Sequence, residues 1–377
     1  MIDRHFVRTR AIGGPGPGPG PGPGWSWVRG RVVWCGLAVL AVLYGPLAMT
    51  CLLPLAGCGD ASSPAGASAA GAPKAAPASY PYKIGTTIGM ITDIVRQVAG
   101  DKAQVTGVIG ESVDPHLFRA SSRDVATLMS ADVVLYNGLL LEGKMADTLI
   151  EVASKREYVF RVTSLIDSKY LLEPEEFQGH YDPHVWMDVA AWMKAVDAVS
   201  EKLGDFDPPN ASYYAANAAR YTVDLEKLHT YATDTIATIP KAQRVMITAH
   251  DAFNYFGRAY EVEVMGIQGL STESEAGLER INGLVDMIVQ RDIKAVFVES
   301  SVSSKNVDAL REGAAARGKQ VREGGTLFSD AMGAPGTYEG TYIGMIDHNV
   351  TTVARALGGQ SPLRGLNGKL QDTAAHE

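Results

Sequence analysis

The chain of 377 residues is short of cysteine, histidine and positive charge, and each shortage removes a class of function. Its cysteines are Cys35, Cys51 and Cys58, so nothing after residue 58 can build a disulfide framework. Stability of the folded part must come from core packing. There is no Cys-x-x-Cys pair, no Gly-x-Ser-x-Gly elbow and no His-Glu-x-x-His helix, so the usual frames for thiol redox chemistry, serine acyl transfer and helix-borne zinc catalysis are missing. With 34 Lys and Arg against 42 Asp and Glu the formal charge is -8, and no basic stripe is available to neutralise phosphates, which argues against nucleic acid. The segment Gly138-Leu-Leu-Leu-Glu-Gly143-Lys144-Met145 approaches a phosphate-binding loop, but Met145 stands where Ser or Thr would hold magnesium.

What remains fits a globular protein long enough for two domains, with 46% hydrophobic and 20% charged residues. Long apolar runs are also scarce: Val32 to Leu55 is the one example, behind Arg29 and Arg31 and ahead of Leu55-Ala56-Gly57-Cys58. This is the layout of a signal peptide, and its last four residues resemble the lipobox of bacterial lipoproteins. Cleavage there leaves Cys58 to carry the lipid and discards Cys35 and Cys51. A retained membrane anchor is the alternative, since ~20 apolar residues span a bilayer. Gly59 to Pro81 is rich in Ala, Ser, Gly and Pro and nearly uncharged, so it reads as a flexible tether holding the domain about 25 Å from its anchor. Gly13 to Gly24 alternates Gly and Pro with period two, unlike the three-residue repeat of collagen; it carries no functional reading, and a start codon placed too far upstream is the plain expectation.

From Tyr82 onward, short β-rich runs alternate with amphipathic stretches, the pattern of α/β units built on mainly parallel sheets. Strands are expected at Tyr82 to Ile88, Gln104 to Ile109, Asp132 to Tyr136, Arg244 to Thr248, Ala295 to Glu299 and Gln320 to Arg322. Several are almost wholly apolar, as strands covered by helices on both faces must be. Asn210 to Ile239 carries Tyr213, Tyr214, Tyr221, Leu225, Leu228 and Tyr231 at helical spacing between Pro208-Pro209 and Pro240, predicting one long rigid helix. The domain plan is a signal region (1–57), a lipidated cysteine and tether (58–81), an N-terminal lobe (82–209), a linking helix (210–239), a C-terminal lobe (240–360) and a tail (361–377).

The chain has 8 histidines, and three fall in polar, turn-like contexts: Val-Asp-Pro-His116, Tyr-Asp-Pro-His184 and Thr-Ala-His250-Asp251. Asp330 follows the Gly324-Gly325 pair, which reads as a turn. Each lies near a strand end or at the entry to a helix, where open α/β sheets collect ligands. Three imidazoles and a carboxylate suit zinc, four-coordinate or five-coordinate if Asp330 binds through both oxygens; manganese ordinarily asks for more oxygen but is not excluded. Taken singly, each of these residues has a plainer reading, with Asp330 as a helix cap ahead of Ala331 and Met332. His180 is a reserve ligand, while His229 and His348 sit within predicted helices. Asp251 and Glu299 are candidates to orient an imidazole by accepting its second N–H, although Glu299 could instead cap a helix beginning near Ser303. An exported zinc hydrolase fits three histidines with an open position, and an adhesion or scaffold protein would use the metal structurally.

The chain resembles the zinc/manganese substrate-binding lipoproteins of bacterial ABC transporters from about Tyr82 to Leu357. The resemblance rests on VDPHLFRASSRDVATLMSADVVLYNGLLLEG, YDPHVWMD, TAHDAFNYFGRAY, VFVESSVSSKNVDALRE and GGTLFSDAMG followed by EGTYIGMIDHNV. It implies a monomeric, non-enzymatic, extracytoplasmic protein that carries a divalent ion between two lobes to a membrane permease, with His116, His184, His250 and Asp330 as ligands. His250 at the third ligand position points to the zinc or mixed zinc-and-manganese subgroup, because manganese binders of this type tend to carry Glu there. The segment Ile166 to Asp182 lacks the long His- and acid-rich loop of many zinc scavengers, which argues against exclusive zinc specificity.

Overall fold

The computed structural model describes residues 77–177 and 179–371. The signal region, the Gly-Pro repeat, Cys58 and nearly all of the tether lie outside the described residues. No described helix is long and apolar enough to cross a membrane.

Ahead of the long helix, the chain forms β1 (Tyr82–Thr86), α1 (Gly89–Ala99), β2 (Ala103–Gly107), α2 (Ser122–Ser130), β3 (Val133–Tyr136), α3 (Ala146–Lys155), β4 (Val159–Arg161) and α4 (Val189–Phe206). The strands make one parallel sheet in the order β2-β1-β3-β4. Val133, Val134 and Leu135 are all buried, as apolar strands covered on both faces should be. Ser121 and Asp124 close a capping box at the start of α2. Asp188 caps α4 by accepting from the N–H groups of Ala190 and Ala191.

The long helix is α5 (Ala211–Ala237), 27 residues and about 40 Å at 1.5 Å per residue. Its buried stripe, Tyr214, Ala218, Tyr221, Leu225, Leu228, Ala232 and Ile236, repeats every three or four positions. Beyond it come β5 (Val245–His250), α6 (Asn254–Tyr260), β6 (Glu263–Gln268), α7 (Leu278–Arg291), β7 (Ala295–Glu299), α8 (Lys305–Ala316), β8 (Arg322–Leu327) and α9 (Tyr342–Ala356). Parallel pairs β5-β6 and β7-β8 lie side by side through β5 and β7. Helix α5 is bonded on both sides: Asn217 Nδ2 donates to the Val98 carbonyl at 2.9 Å, and Tyr231 Oη meets Thr351 Oγ1 at 2.8 Å.

The sequence reading misses β4 and β6 and displaces β8. Gly324 and Gly325 do not make a turn; they lie inside β8, opposite a register shift between Val296 and Val298. A Cβ on Gly324 would stand 2.6 Å from the Phe297 ring, and Gly325 has φ +121°. Glycine is needed there for close packing and for a bulged strand.

Candidate metal centre

Each of the four singled-out residues arrives on a different segment. His116 lies in the turn that follows β2, and His184 sits just before α4. His250 is the last residue of β5, and Asp330 stands beyond the end of β8. Two therefore come from before α5 and two from after it. Their side chains converge, with one donor atom from each within 4.8 Å of the others, and all are buried. His116 Nε2 is 3.3 Å from His184 Nε2 and 3.6 Å from Asp330 Oδ2; His184 Nε2 is 3.4 Å from Asp330 Oδ1, and His250 Nε2 is 3.1 Å from Asp330 Oδ2. A tetrahedral ion with bonds of ~2.0–2.1 Å separates its ligands by about 3.3 Å. The spacing fits.

One hydrogen bond runs within the cluster, between His116 Nε2 and His184 Nε2, and it does not account for the crowding of all four. His250 Nε2 and both Asp330 oxygens are buried without a hydrogen-bond partner, a costly state unless a cation completes it. The two Asp330 oxygens face different histidines, so the carboxylate spans the middle of the cluster.

Behind the ring nitrogens lie two further carboxylates. Glu299 Oε2 accepts from His250 Nδ1 at 2.6 Å, and its Oε1 accepts from the His250 backbone N–H at 2.9 Å. Asp182 Oδ1 accepts from both the Nδ1 and the backbone N–H of His184, at 2.8 and 2.9 Å. With Nδ1 donating, each Nε2 faces the cluster, where its lone pair can serve an ion once any proton there has left. Glu299 is therefore hydrogen-bonded to the His250 ring, and the helix after β7 is not capped by it, since α8 begins at Lys305 behind Ser304. Asp251 Oδ1 accepts from the Gly266 N–H at 2.6 Å, bracing β5 against β6. Asp182 went unrecognised in the sequence, although the repeated Asp-Pro-His motif carried the signal.

The field of these carboxylates separates the histidines. Burial pushes His116 down to about 3, so it stays neutral. Burial also opposes charge on His250, but Glu299 and Asp330 outweigh it and raise that histidine well above its ordinary value. Burial alone would raise Asp330, yet the surrounding histidines hold it below the usual carboxylate range.

The other described histidines stay apart. His180 is exposed beside Phe177, His229 lies against Tyr260, and His348 Nε2 meets the Thr326 carbonyl at 2.9 Å. Asp330 caps no helix, because α9 starts at Tyr342 behind Thr341. The loop that approaches a phosphate-binding sequence is already filled by a carboxyl group of its own: Glu142 accepts from the Asn137 and Gly138 N–H groups and from Thr87 Oγ1.

Residues 84–356 match the family model described as zinc-uptake complex component A, periplasmic. The chain belongs to this family. Its relatives include the manganese-binding lipoprotein MntA of Bacillus subtilis, 43% identical over 317 residues that cover 84% of this chain and 97% of that protein. The zinc-binding protein TroA of Treponema pallidum is 45% identical over 272 residues, covering 72% of this chain and 87% of that protein. The solved structure of the periplasmic zinc-binding protein TroA superposes with a TM-score of 0.71 at 44% identity, covering 73% of this chain and 99% of the other. That of Fe(III)-bound YtgA from Chlamydia trachomatis gives 0.67 at 26% identity, covering 74% of this chain and 99% of the other. The family supplies extracytoplasmic metal-binding components of ABC transporters, not enzymes, and the hydrolase alternative finds no support in it.

Proposed function

We propose that this chain is a lipoprotein anchored through Cys58 on the outer side of the cytoplasmic membrane. As a monomer, it captures one divalent ion at His116, His184, His250 and Asp330 and hands it to the membrane permease of an ABC transporter. The ion sits between an N-terminal lobe (82–209) and a C-terminal lobe (240–360), with the linking helix (210–239) bracing both. The observation that carries this reading is the buried convergence of three imidazoles and one carboxylate, two from each side of α5, with both Asp330 oxygens lacking a hydrogen bond. Four protein donors, and five with a bidentate Asp330, leave little room for a metal-bound water. Such a site suits carriage rather than hydrolysis.

Zinc is the cargo that three imidazoles favour, with manganese as the alternative. Relatives named for each metal lie at similar identity, so His250 is the residue on which the choice turns. Competition between zinc and manganese for wild-type protein and for His250→Glu tests this. A shift of preference toward manganese in the variant supports the assignment, and an unchanged preference refutes it.

A further inference from the structure

Each histidine contributed from before α5 stands two residues after an aspartate, and both aspartates bridge outward, although Asp182 bonds the ring and backbone of His184 whereas Asp114 bonds only the backbone N–H of His116. In both, one oxygen turns back onto the histidine and the other takes a donor from beyond α5. Asp114 Oδ1 accepts from the His116 N–H at 2.8 Å, while its Oδ2 accepts the hydroxyl proton of Thr272. Asp182 Oδ1 holds His184, while its Oδ2 accepts from Asn254 Nδ2 at 3.1 Å.

Thr272 is buried in the connection between β6 and α7, and Asn254 is the first residue of α6, four positions after His250. Neither offers a donor to the cluster. Their neighbours reinforce the same seams: Lys144 Nζ meets Glu273 Oε2 at 2.7 Å, and Tyr255 Oη donates to the Asp182 carbonyl at 2.9 Å. Any displacement of the segments after α5 therefore pulls directly on the carboxylates that fix His116 and His184.

We infer that Thr272 and Asn254 are positioning residues that lock the two N-terminal histidines onto the cargo and thereby set how fast the ion leaves. This rests on the four-residue cluster being the cargo site. An aspartate freed on one oxygen can swing, and its histidine then relaxes from the ion. Loss of a partner bonded directly to a ligand typically weakens metal binding by 10–100-fold; Thr272 and Asn254 act one bond further out, which places their effect at the lower end of that range.

The test uses full-length protein in detergent, loaded with zinc and mixed with a fluorescent chelator in a stopped-flow instrument. Thr272→Val and Asn254→Ala are each expected to release zinc about 10-fold faster with the association rate unchanged, and Thr272→Ser, which keeps the hydroxyl, is expected to release at the wild-type rate. Two variants on separate elements keep the experiment decisive if one fails to fold. Wild-type release rates in both variants overturn the assignment alone. Full retention of zinc by His184→Ala, run beside them, overturns the cargo site itself.

Discussion

The indole N–H of Trp186 donates to the backbone carbonyl of Ser329 across 2.9 Å. It ties a residue two places after His184 to the residue just before Asp330. Trp186 is fully buried, lies edge-on to His184 with ring centroids 5.3 Å apart, and accepts the Tyr342 hydroxyl on its own carbonyl at 2.7 Å. The floor of the cluster is therefore a packed aromatic layer that joins ligands from the two sides of α5.

Trp186→Phe keeps an aromatic ring there but removes the donor from a buried carbonyl. Urea unfolding of the metal-free protein is expected to show a loss of about 1–3 kcal/mol, together with weaker zinc retention. Unchanged stability would mean that this bond does not hold the layer together.

Glu299→Gln leaves the shape of the His250 pocket intact while removing the charge behind the ring. Zinc affinity measured by chelator competition is expected to fall about 10–100-fold, with the far-ultraviolet circular dichroism spectrum unchanged. The corresponding Asp182→Asn change acts on His184 in the same direction. An affinity equal to wild type in both variants would contradict the orienting role of these carboxylates.

The opposed shifts of His116 and His250 set the direction of proton exchange. Burial keeps His116 neutral at about pH 7, whereas Glu299 and Asp330 overcome burial and favour a proton on His250. Any proton there must leave when the ion binds, so calorimetry in buffers of different ionisation heat is expected to report net proton release on zinc binding. Binding weakens as pH falls. In the empty protein, His250 adds stability that is fully present below its unfolded value of about 6.5 and is lost as pH rises through its raised folded value. His116 acts oppositely: it costs stability as pH falls from about 6.5 toward about 3, because only the unfolded chain takes up that proton. Asp330, held low, contributes stability above the ordinary carboxylate value, lost as pH falls toward its lowered folded value. Zinc binding with no proton released, or with protons taken up, would contradict this direction.

Much of the site was legible in the sequence because its donors share a context. His116, His184 and His250 stand in polar turns or at a strand end, outside any apolar stripe, and Glu299 ends a wholly apolar strand. The alternating α/β pattern and the long helix were legible for the same reason, since a stripe from Tyr214 to Ile236 repeats at one period. What escaped was set by tertiary contact. β4 is three residues long, β6 is interrupted by Gly266, and the Gly324-Gly325 pair looks like a turn until the Phe297 ring is placed over it. Thr272 reaches Asp114 across 158 residues, a pairing that no local pattern encodes.

The central claim is that His116, His184, His250 and Asp330 together hold one divalent ion as cargo. Metal content after chelator stripping, zinc loading and gel filtration tests it directly, on wild-type protein and on His184→Ala and Asp330→Ala. One zinc per wild-type chain, a stripped chain that keeps its helical circular dichroism, and loss of the zinc in both variants are expected. Full zinc content in either variant, or a stripped chain that unfolds, would contradict it.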